Sequence, residues 1–388
     1  VEVAFWACFA LIAHTYAVYP ALLFVVYAFS QLRRDCGYLA AGSDRRRARL
    51  PEDALPPLSL VVAAHNEAAV LPAKLANLRE LDYPAHKLDV VFVSDGSTDG
   101  TDELLAAAGD ERVRVLRVPR RGGKSSALNQ GVAAARHEVL VFSDASTLLA
   151  PDALRQLARH FADPGVGVAC GVLRFQGGAE FQQTEGVYWR YEKALRVMEA
   201  RLGATLTASG ALYALRRAAW RPLAADVVID DFVVPLHARA AGYRVVLDPE
   251  ASATEFAAGG VADEFARRVR LAVGSFRALP ALLRTRLGPF TALAFFSHKV
   301  LRWVLPFLML GLLLASALLC ARPFYGVALV LQLLFYGWAV LGFVFRERMA
   351  PVRYGLIGYF LLAINLAFLV GFVQFLSGRQ EVRWKRAV

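Results

Sequence analysis

Cysteine is scarce here, with four residues in a chain of 388: Cys8, Cys36, Cys170 and Cys320. They lie far apart, and no CxxC or Cys/His cluster occurs, so neither a zinc site nor a disulfide framework is supported. That usage suits a reducing cytosol for the central part of the chain. A Walker A loop is missing too, because the required earlier glycine of the one Gly-rich basic loop is replaced by Val118. No basic stripe is interleaved with aromatics, so the formal net charge of +11 does not read as a nucleic-acid surface. Much of the Arg instead flanks apolar segments, which points to a membrane surface. Charge itself is lacking over long stretches at both ends, where the hydrophobic excess (57% of the chain) is concentrated.

Val3 to Phe29 is almost free of charge. At about 1.5 Å per residue such a run crosses a hydrocarbon core of roughly 30 Å with some tilt. A signal peptide is shorter and ends at a small-residue cleavage site, so residues 1–30 read as a retained transmembrane helix. The linker 31–57 carries Arg33, Arg34, Arg45, Arg46, Arg47 and Arg49 and closes on the proline-marked stretch Pro51 to Pro57. The positive-inside rule makes this flank cytosolic. Residues 58–262 have the composition of a soluble α/β domain. Residues 263–299 begin with an Arg-rich amphipathic helix, Asp263 to Arg286, of the kind that lies on a bilayer. Three further apolar segments fill 300–376, at about Val300 to Leu319, Phe324 to Phe345 and Tyr354 to Leu376, and a basic tail, 377–388, follows. Counting crossings puts that tail outside, whereas its charge argues for inside. A re-entrant segment, or an interfacial element at Phe290 to Lys299, would reconcile the two.

The middle of the chain alternates strands with helices. LSLVVAA (Leu58 to Ala64), LDVVFVS (Leu88 to Ser94), RVRVLRV (Arg112 to Val118) and the apolar run opening VLVFSDAST (Val139 to Thr147) read as strands, with helical segments between. The expected fold class is α/β, a doubly wound and mostly parallel sheet. In such sheets ligands bind beyond the carboxyl ends of the strands. Polar residues collect at those ends: Glu67, then SDGSTDGT with Asp95 and Ser97, then RGGKSSALNQG with Lys124, then Asp144. A carboxylate there can hold a divalent metal, a base or a ribose, or merely cap a helix. The backbone N–H groups and cation around Lys124 suit a diphosphate, and also a solvated turn. Adjacent Asp230 and Asp231 repel one another, which raises a pKa and suits a general base, while a helix N-terminus also favours carboxylates. Arg267, Arg268 and Arg270 suit phosphate groups of a ligand or of lipid.

Taken in order, AAHNE, SDGSTDGT, RGGKSSALNQG, FSDAS and the Asp pair resemble the family 2 glycosyltransferases of the GT-A fold. More closely, they resemble the membrane-integrated branch of cellulose, hyaluronan and chitooligosaccharide synthases and bacterial exopolysaccharide glycosyltransferases. The resemblance covers about Leu58 to Ser275, and the FSHKVLRW and GRQEVRWKR stretches fit the same branch. It implies a nucleotide-sugar donor, most readily a UDP-sugar, an inverting transfer, and a glycan or lipid-linked acceptor. It places the catalytic domain on the cytosolic side of a bacterial inner membrane, in a multi-pass protein in contact with membrane lipids. Glu67 and Asp95, with Ser97 beside them, would hold the nucleoside, and Ala64 would line the base pocket. Lys124 would lie near the diphosphate. Asp144 would open the DxD-type motif for Mg²⁺ or Mn²⁺. Asp231 would be the general base, with Asp230 beside it. Arg267 to Leu271 would occupy the place of the Q-x-x-R-W motif, with Arg270 matching its Arg. Two departures stand out: Ser146 takes the third position of the DxD, and Arg267 and Leu271 replace the Gln and Trp. The first loses a metal carboxylate, and the second removes the ring that stacks on the acceptor sugar. A non-catalytic nucleotide-binding membrane subunit of a polysaccharide assembly is the alternative that Ser146 favours.

Overall fold

Apolar side chains on both faces of a strand demand cover on both sides, and the central strands satisfy this throughout. The computed structural model describes residues 1–41, 50–176, 181–256, 261–349 and 355–378. Its strands are β1 (Leu58–Ala64), β2 (Leu88–Asp95), β3 (Val113–Val118), β4 (Val139–Asp144), β5 (Thr147–Leu149), β6 (Val166–Gln176), β7 (Tyr213–Arg216) and β8 (Arg244–Phe256). They form one sheet in the order β3-β2-β1-β4-β7-β6-β8-β5. The half from β3 to β4 is parallel; β7 then runs antiparallel to both neighbours, β8 pairs parallel with β6, and β5 pairs antiparallel with β8. The sheet is therefore mixed, as a mostly parallel α/β fold with an antiparallel extension. The short β5 had no counterpart in the sequence reading. β3, on the edge, is only half-buried and begins one residue later than the alternation predicts.

The two-residue period sorts each strand onto two cores. Val61, Ala63, Val91, Val93, Leu140 and Phe142 face one side, where Ala127, Leu128 and Val132 pack on them. Leu60, Val62, Ala64, Val90, Phe92 and Val141 face the other, under Leu71, Leu78, Leu105, Leu154 and Leu157. The helices in chain order are α1 (Glu2–Ala13), α2 (Tyr19–Ala41), α3 (Leu71–Arg79), α4 (Thr101–Ala106), α5 (Lys124–Ala134), α6 (Ala153–Ala158), α7 (Phe181–Arg201), α8 (Asp230–Ala240), α9 (Val261–Leu283), α10 (Pro289–Phe295), α11 (Leu301–Leu318), α12 (Pro323–Val344), α13 (Arg346–Met349) and α14 (Ile357–Ser377).

Among the described residues, four helices are long and apolar enough to cross a membrane: Glu2–Tyr38, Pro289–Leu318, Pro323–Val344 and Ile357–Ser377. Residues 290–299 run through α10 and a π-helical turn straight into α11. The amphipathic α9 does not turn its apolar face to lipid alone. Phe276 meets Phe372 and Phe375 of α14, and a Cβ on Gly371 would meet Ala272 at 2.6 Å. The first core continues into these helices through Tyr19, Leu23, Phe276, Phe295 and Trp303, so sheet and bundle share one apolar interior. Arg45 to Arg49, Arg353 and the tail from 379 lie outside the described residues.

One close approach is needed to seat α5. A Cβ on Gly131 would collide with Cγ1 of Val61, a β-branched side chain fully buried on β1. Overpacking of this kind costs about 1–3 kcal/mol, while Ala gains back up to about 1 kcal/mol of helix propensity over Gly. Gly131→Ala is therefore expected to lower the melting temperature of the detergent-solubilised protein, and an unchanged or raised value would show that α5 has room to shift.

Candidate active site

Each acid at a strand's carboxyl end is placed by the sheet before any ligand is considered. Asp95 closes β2 and is fully buried. Its two carboxylate oxygens accept from the backbone N–H groups of Gly122 and Gly123, each at 2.7 Å. Gly96 follows with φ +65, and a Cβ there would lie 2.8 Å from the Arg121 nitrogen. Only glycine lets the two loops approach so closely. The loop after β1 is tied in as well. Asn66 N–H donates to Ser97 Oγ at 3.2 Å, Thr98 N–H donates to Asn66 Oδ1 at 2.8 Å, and Glu67 N–H donates to Thr101 Oγ1 at 2.9 Å.

The Gly122–Gly123 turn delivers Lys124 at the start of α5. Its Nζ lies 2.8 Å from Asp144 Oδ1 and 3.7 Å from Asp230 Oδ1. Burial opposes the charge on Lys124, but the Asp144 and Asp230 carboxylates outweigh it and hold the ammonium above its ordinary range. Asp230 and Asp231 open α8, Asp230 buried and Asp231 half-buried. Burial pushes both carboxyls up; Lys124 pulls both down, and the Asp144 charge adds to the rise. Asp230 Oδ2 is buried without a hydrogen-bond partner among the described residues. Gly210 lines the same space: a Cβ there would lie 3.6 Å from the Asp231 Cβ and 3.7 Å from Lys124 Nζ.

The turn after β4 carries Asp144 and Ser146, both half-buried. Ser146 Oγ donates to Glu255 Oε1 at 3.4 Å. Burial first, then the nearby Asp144 charge, raise the Glu255 carboxyl, while Arg267 lowers it. Beneath this turn Lys74 is fully buried and donates to Ser143 Oγ at 2.8 Å and to the Thr147 carbonyl at 2.6 Å. Burial pushes its ammonium down to about 7, with Asp144 acting in the opposite sense.

The model of glycosyl transferase family 2 matches residues 59–221, the span that holds every one of these strand ends except those of α8 and β8. That segment, 59–221, matches as a family 2 glycosyl transferase domain. The chain is similar to an N-acetylglucosaminyltransferase of Mesorhizobium japonicum, 28% identical over 242 residues, which is 57% of this chain and 56% of that protein. It is also similar to the poly-beta-1,6-N-acetyl-D-glucosamine synthase of Staphylococcus aureus, 24% identical over 265 residues, 65% of this chain and 63% of the other. The chain thus spans less than two thirds of the length of these curated relatives. Among solved structures, a mannosyltransferase from Pyrobaculum calidifontis in complex with GDP-Man and Mn²⁺ superposes with a TM-score of 0.70 and 23% identity, covering 97% of this chain and 100% of that one. At that identity the likeness is one of GT-A fold.

Within the glycosyl transferase domain and the helices after it, Lys124, Asp144, Asp230 and Asp231 come together, and Asp95, Ser97 and Glu67 form the adjoining wall. Two sequence expectations need correction. Ala64 is fully buried among Leu60, Val62 and Leu71, because the strand's alternation sends its methyl into the second core rather than towards a base. Arg268 turns to the bundle, its guanidinium 4.9 Å from the Phe360 ring centre on α14. Arg267 and Arg270 are half-buried on α9; burial lowers Arg270, and the Arg267 charge adds to that. The sequence reading missed Lys74 and Glu255. A lysine in the apolar spacing Leu71, Lys74, Leu78 was the available signal for the first.

Asp95→Ala would strip both loop amides of their acceptor. Hydrogen bonds to a charged group contribute about 1.5–3 kcal/mol, so the variant should melt lower and bind nucleotide more weakly. Unaltered nucleotide affinity, measured by calorimetry, would mean that the glycine loop holds its shape without the carboxylate.

Proposed function

We propose that this chain is an inverting glycosyltransferase that moves a sugar from a nucleotide-sugar, a UDP-sugar in our reading, to a polysaccharide or lipid-linked acceptor. It would work in the bacterial inner membrane with residues 58–262 as its cytosolic catalytic unit, 263–299 at the interface and 300–376 in the bilayer. One observation carries the reading: the Lys124 ammonium contacts Asp144, at the carboxyl end of a parallel strand, and faces Asp230 at 3.7 Å, with Asp231 next to it at the start of α8. That is where an α/β sheet binds its ligand.

Each group then has a chemical task. Glu67 and Ser97 face the nucleoside, and Asp95 acts through the glycine loop that it holds. Lys124, with Arg267 and Arg270 on α9, meets the negative charge that develops on the departing diphosphate. Asp231, half-buried and raised, takes the proton from the acceptor hydroxyl. Asp230 is buried and keeps the local field negative. The acceptor reaches the site from the bilayer side, because Phe232, next to Asp231, packs on Phe295 and Trp303 of the membrane helices.

Asp144 and Ser146 would hold Mg²⁺ or Mn²⁺. Among the described residues no three His, Cys, Asp or Glu side chains form a group that could hold an ion by themselves. Mg²⁺ takes one or two carboxylates and completes its shell with water and substrate phosphates, so this donor set fits an ion shared with the diphosphate. When bound, the ion neutralises leaving-group charge.

The test is a screen of purified protein with UDP-GlcNAc, UDP-Glc, UDP-Gal and GDP-Man, each with Mg²⁺ or Mn²⁺, reading released nucleoside diphosphate. Asp231→Asn should lower kcat about 10²–10⁴-fold. In the native protein kcat/KM should rise with pH along a limb above 3.8, the ordinary Asp value, because a raised carboxyl must lose its proton before it can act as base. Full turnover by Asp231→Asn would remove this residue from the mechanism, and no release from any donor would argue for the non-catalytic subunit.

A further inference from the structure

The sequence offers a cation one carboxylate at the DxD position and a serine where the second should be. The fold brings another carboxylate to that place from far along the chain. β5 pairs antiparallel with the end of β8, with Thr147 opposite Glu255. Ser146, one residue before, reaches Glu255 Oε1 at 3.4 Å across a separation of 109 residues. The turn that carries Asp144 and Ser146 cannot swing away from β8 freely. It is fixed from below by Lys74, through Ser143 Oγ and the Thr147 carbonyl. Both Ser146 and Glu255 remain half-buried.

We propose that Glu255 supplies the second carboxylate of the divalent-cation site, taking over the role that Ser146 has lost, with the Ser146 hydroxyl orienting it. The inference rests on the glycosyltransferase reading above. A second observation in the same cleft also calls for a positive partner. Asp230 is 5% exposed, and its Oδ2 has no hydrogen-bond partner among the described residues, although its other oxygen lies 3.7 Å from the ammonium that holds Asp144. Lys124 cannot serve all of these carboxylates at once. It is in contact with Asp144 at 2.8 Å and stands off from Asp230. Arg267 is a further cation within range of Glu255 among the described residues. It is carried on α9, whereas the β5–β8 register is part of the sheet itself. A hard dication between Asp144 and Glu255, completed by diphosphate oxygens and water, meets the oxygen-only preference of Mg²⁺ and Mn²⁺. It also explains how a chain with a serine in its DxD position keeps two protein carboxylates for the ion.

The experiment reads metal binding rather than turnover. The full chain in detergent is titrated with Mn²⁺, alone and together with UDP, and free Mn²⁺ is followed by its electron paramagnetic resonance signal. Glu255→Gln should weaken Mn²⁺ about tenfold or more, in the range seen when ligand support is lost. Adding Ser146→Asp to Glu255→Gln should restore binding by returning the carboxylate on the other strand. Asp144→Asn is the control that separates two failures. If it loses Mn²⁺ while Glu255→Gln binds as the native protein does, the Glu255 inference is overturned and the glycosyltransferase reading stands. If Asp144→Asn also binds normally, the cation site itself is wrong. Should Glu255→Gln melt out, Ser146→Asp in the native background is read instead. Tighter Mn²⁺ binding is expected from three carboxylates on one ion, and no change counts against the assignment.

Discussion

A single ammonium sets the character of this site. Lys124 stands between Asp144 and Asp230, while Asp231 and Glu255 lie close enough to act on the same field. Two unit charges 4 Å apart interact by about 4 kcal/mol at an effective dielectric near 20. Four carboxylates gathered at one sheet edge would therefore repel strongly without a cation among them. The loop geometry follows from the need to bring that cation in. Asp95 binds the two glycine amides, the glycine turn presents the first residue of α5, and that residue is Lys124. Burial raises the carboxyls of Asp230 and Asp231, and the one ammonium balances that rise only in part.

The same cleft is tied to the membrane helices by two kinds of contact. The apolar one runs from Phe232 on α8 to Phe295 and Trp303. The polar one is a buried cluster between α7 and the helices that lead into the bilayer. His298 meets Glu199 at 2.7 Å and Glu192 at 2.9 Å, Tyr19 donates to Glu199 at 2.6 Å, and Lys299 and Arg302 also face Glu192. Buried ion clusters contribute little net stability, since desolvation offsets their attraction. Separating one member, however, leaves a charge stranded at a cost of about 3–5 kcal/mol. Sliding α7 along α11 is thus opposed at several points at once, which fixes the height of the cleft above the bundle.

Much of this was legible in the chain, for identifiable reasons. β1, β2 and β4 are buried on both faces, and such strands read as unbroken apolar runs that end where the sheet meets its ligand. Asp95 and Asp144 end two of those runs, while Lys124 and the Asp230–Asp231 pair open the helices α5 and α8. What could not be read depends on register. Glu255 meets Ser146 only because β8 folds back beside the three-residue β5, and neither that strand nor its pairing leaves a local pattern. Ala64 was misplaced because the position of a strand's end does not say which face its last side chain takes. Lys74 hid in a helix whose other spaced positions are leucines. The helix at 261–283 was recognisable as amphipathic, but its partner was not. A face with this pattern can seek lipid or another helix, and here Gly371 of α14 lets that helix approach closely.

The replacement of the Trp of the Q-x-x-R-W pattern by Leu271 bears on the acceptor. An indole gives a flat face on which a sugar ring can stack, and leucine gives none. Leu271 is also engaged elsewhere, since it packs against the core cluster that joins sheet and bundle. On α9 stand Arg267 and Arg270, whose planar guanidinium groups match phosphate and hydroxyl oxygens rather than a carbohydrate face. An acceptor gripped at its charged or polar head and anchored in the bilayer uses those groups well. A polymer threading past them would meet Leu271 in place of an aromatic ring at that position. Within the function proposed above, this arrangement favours a lipid-linked acceptor and short extension over processive synthesis.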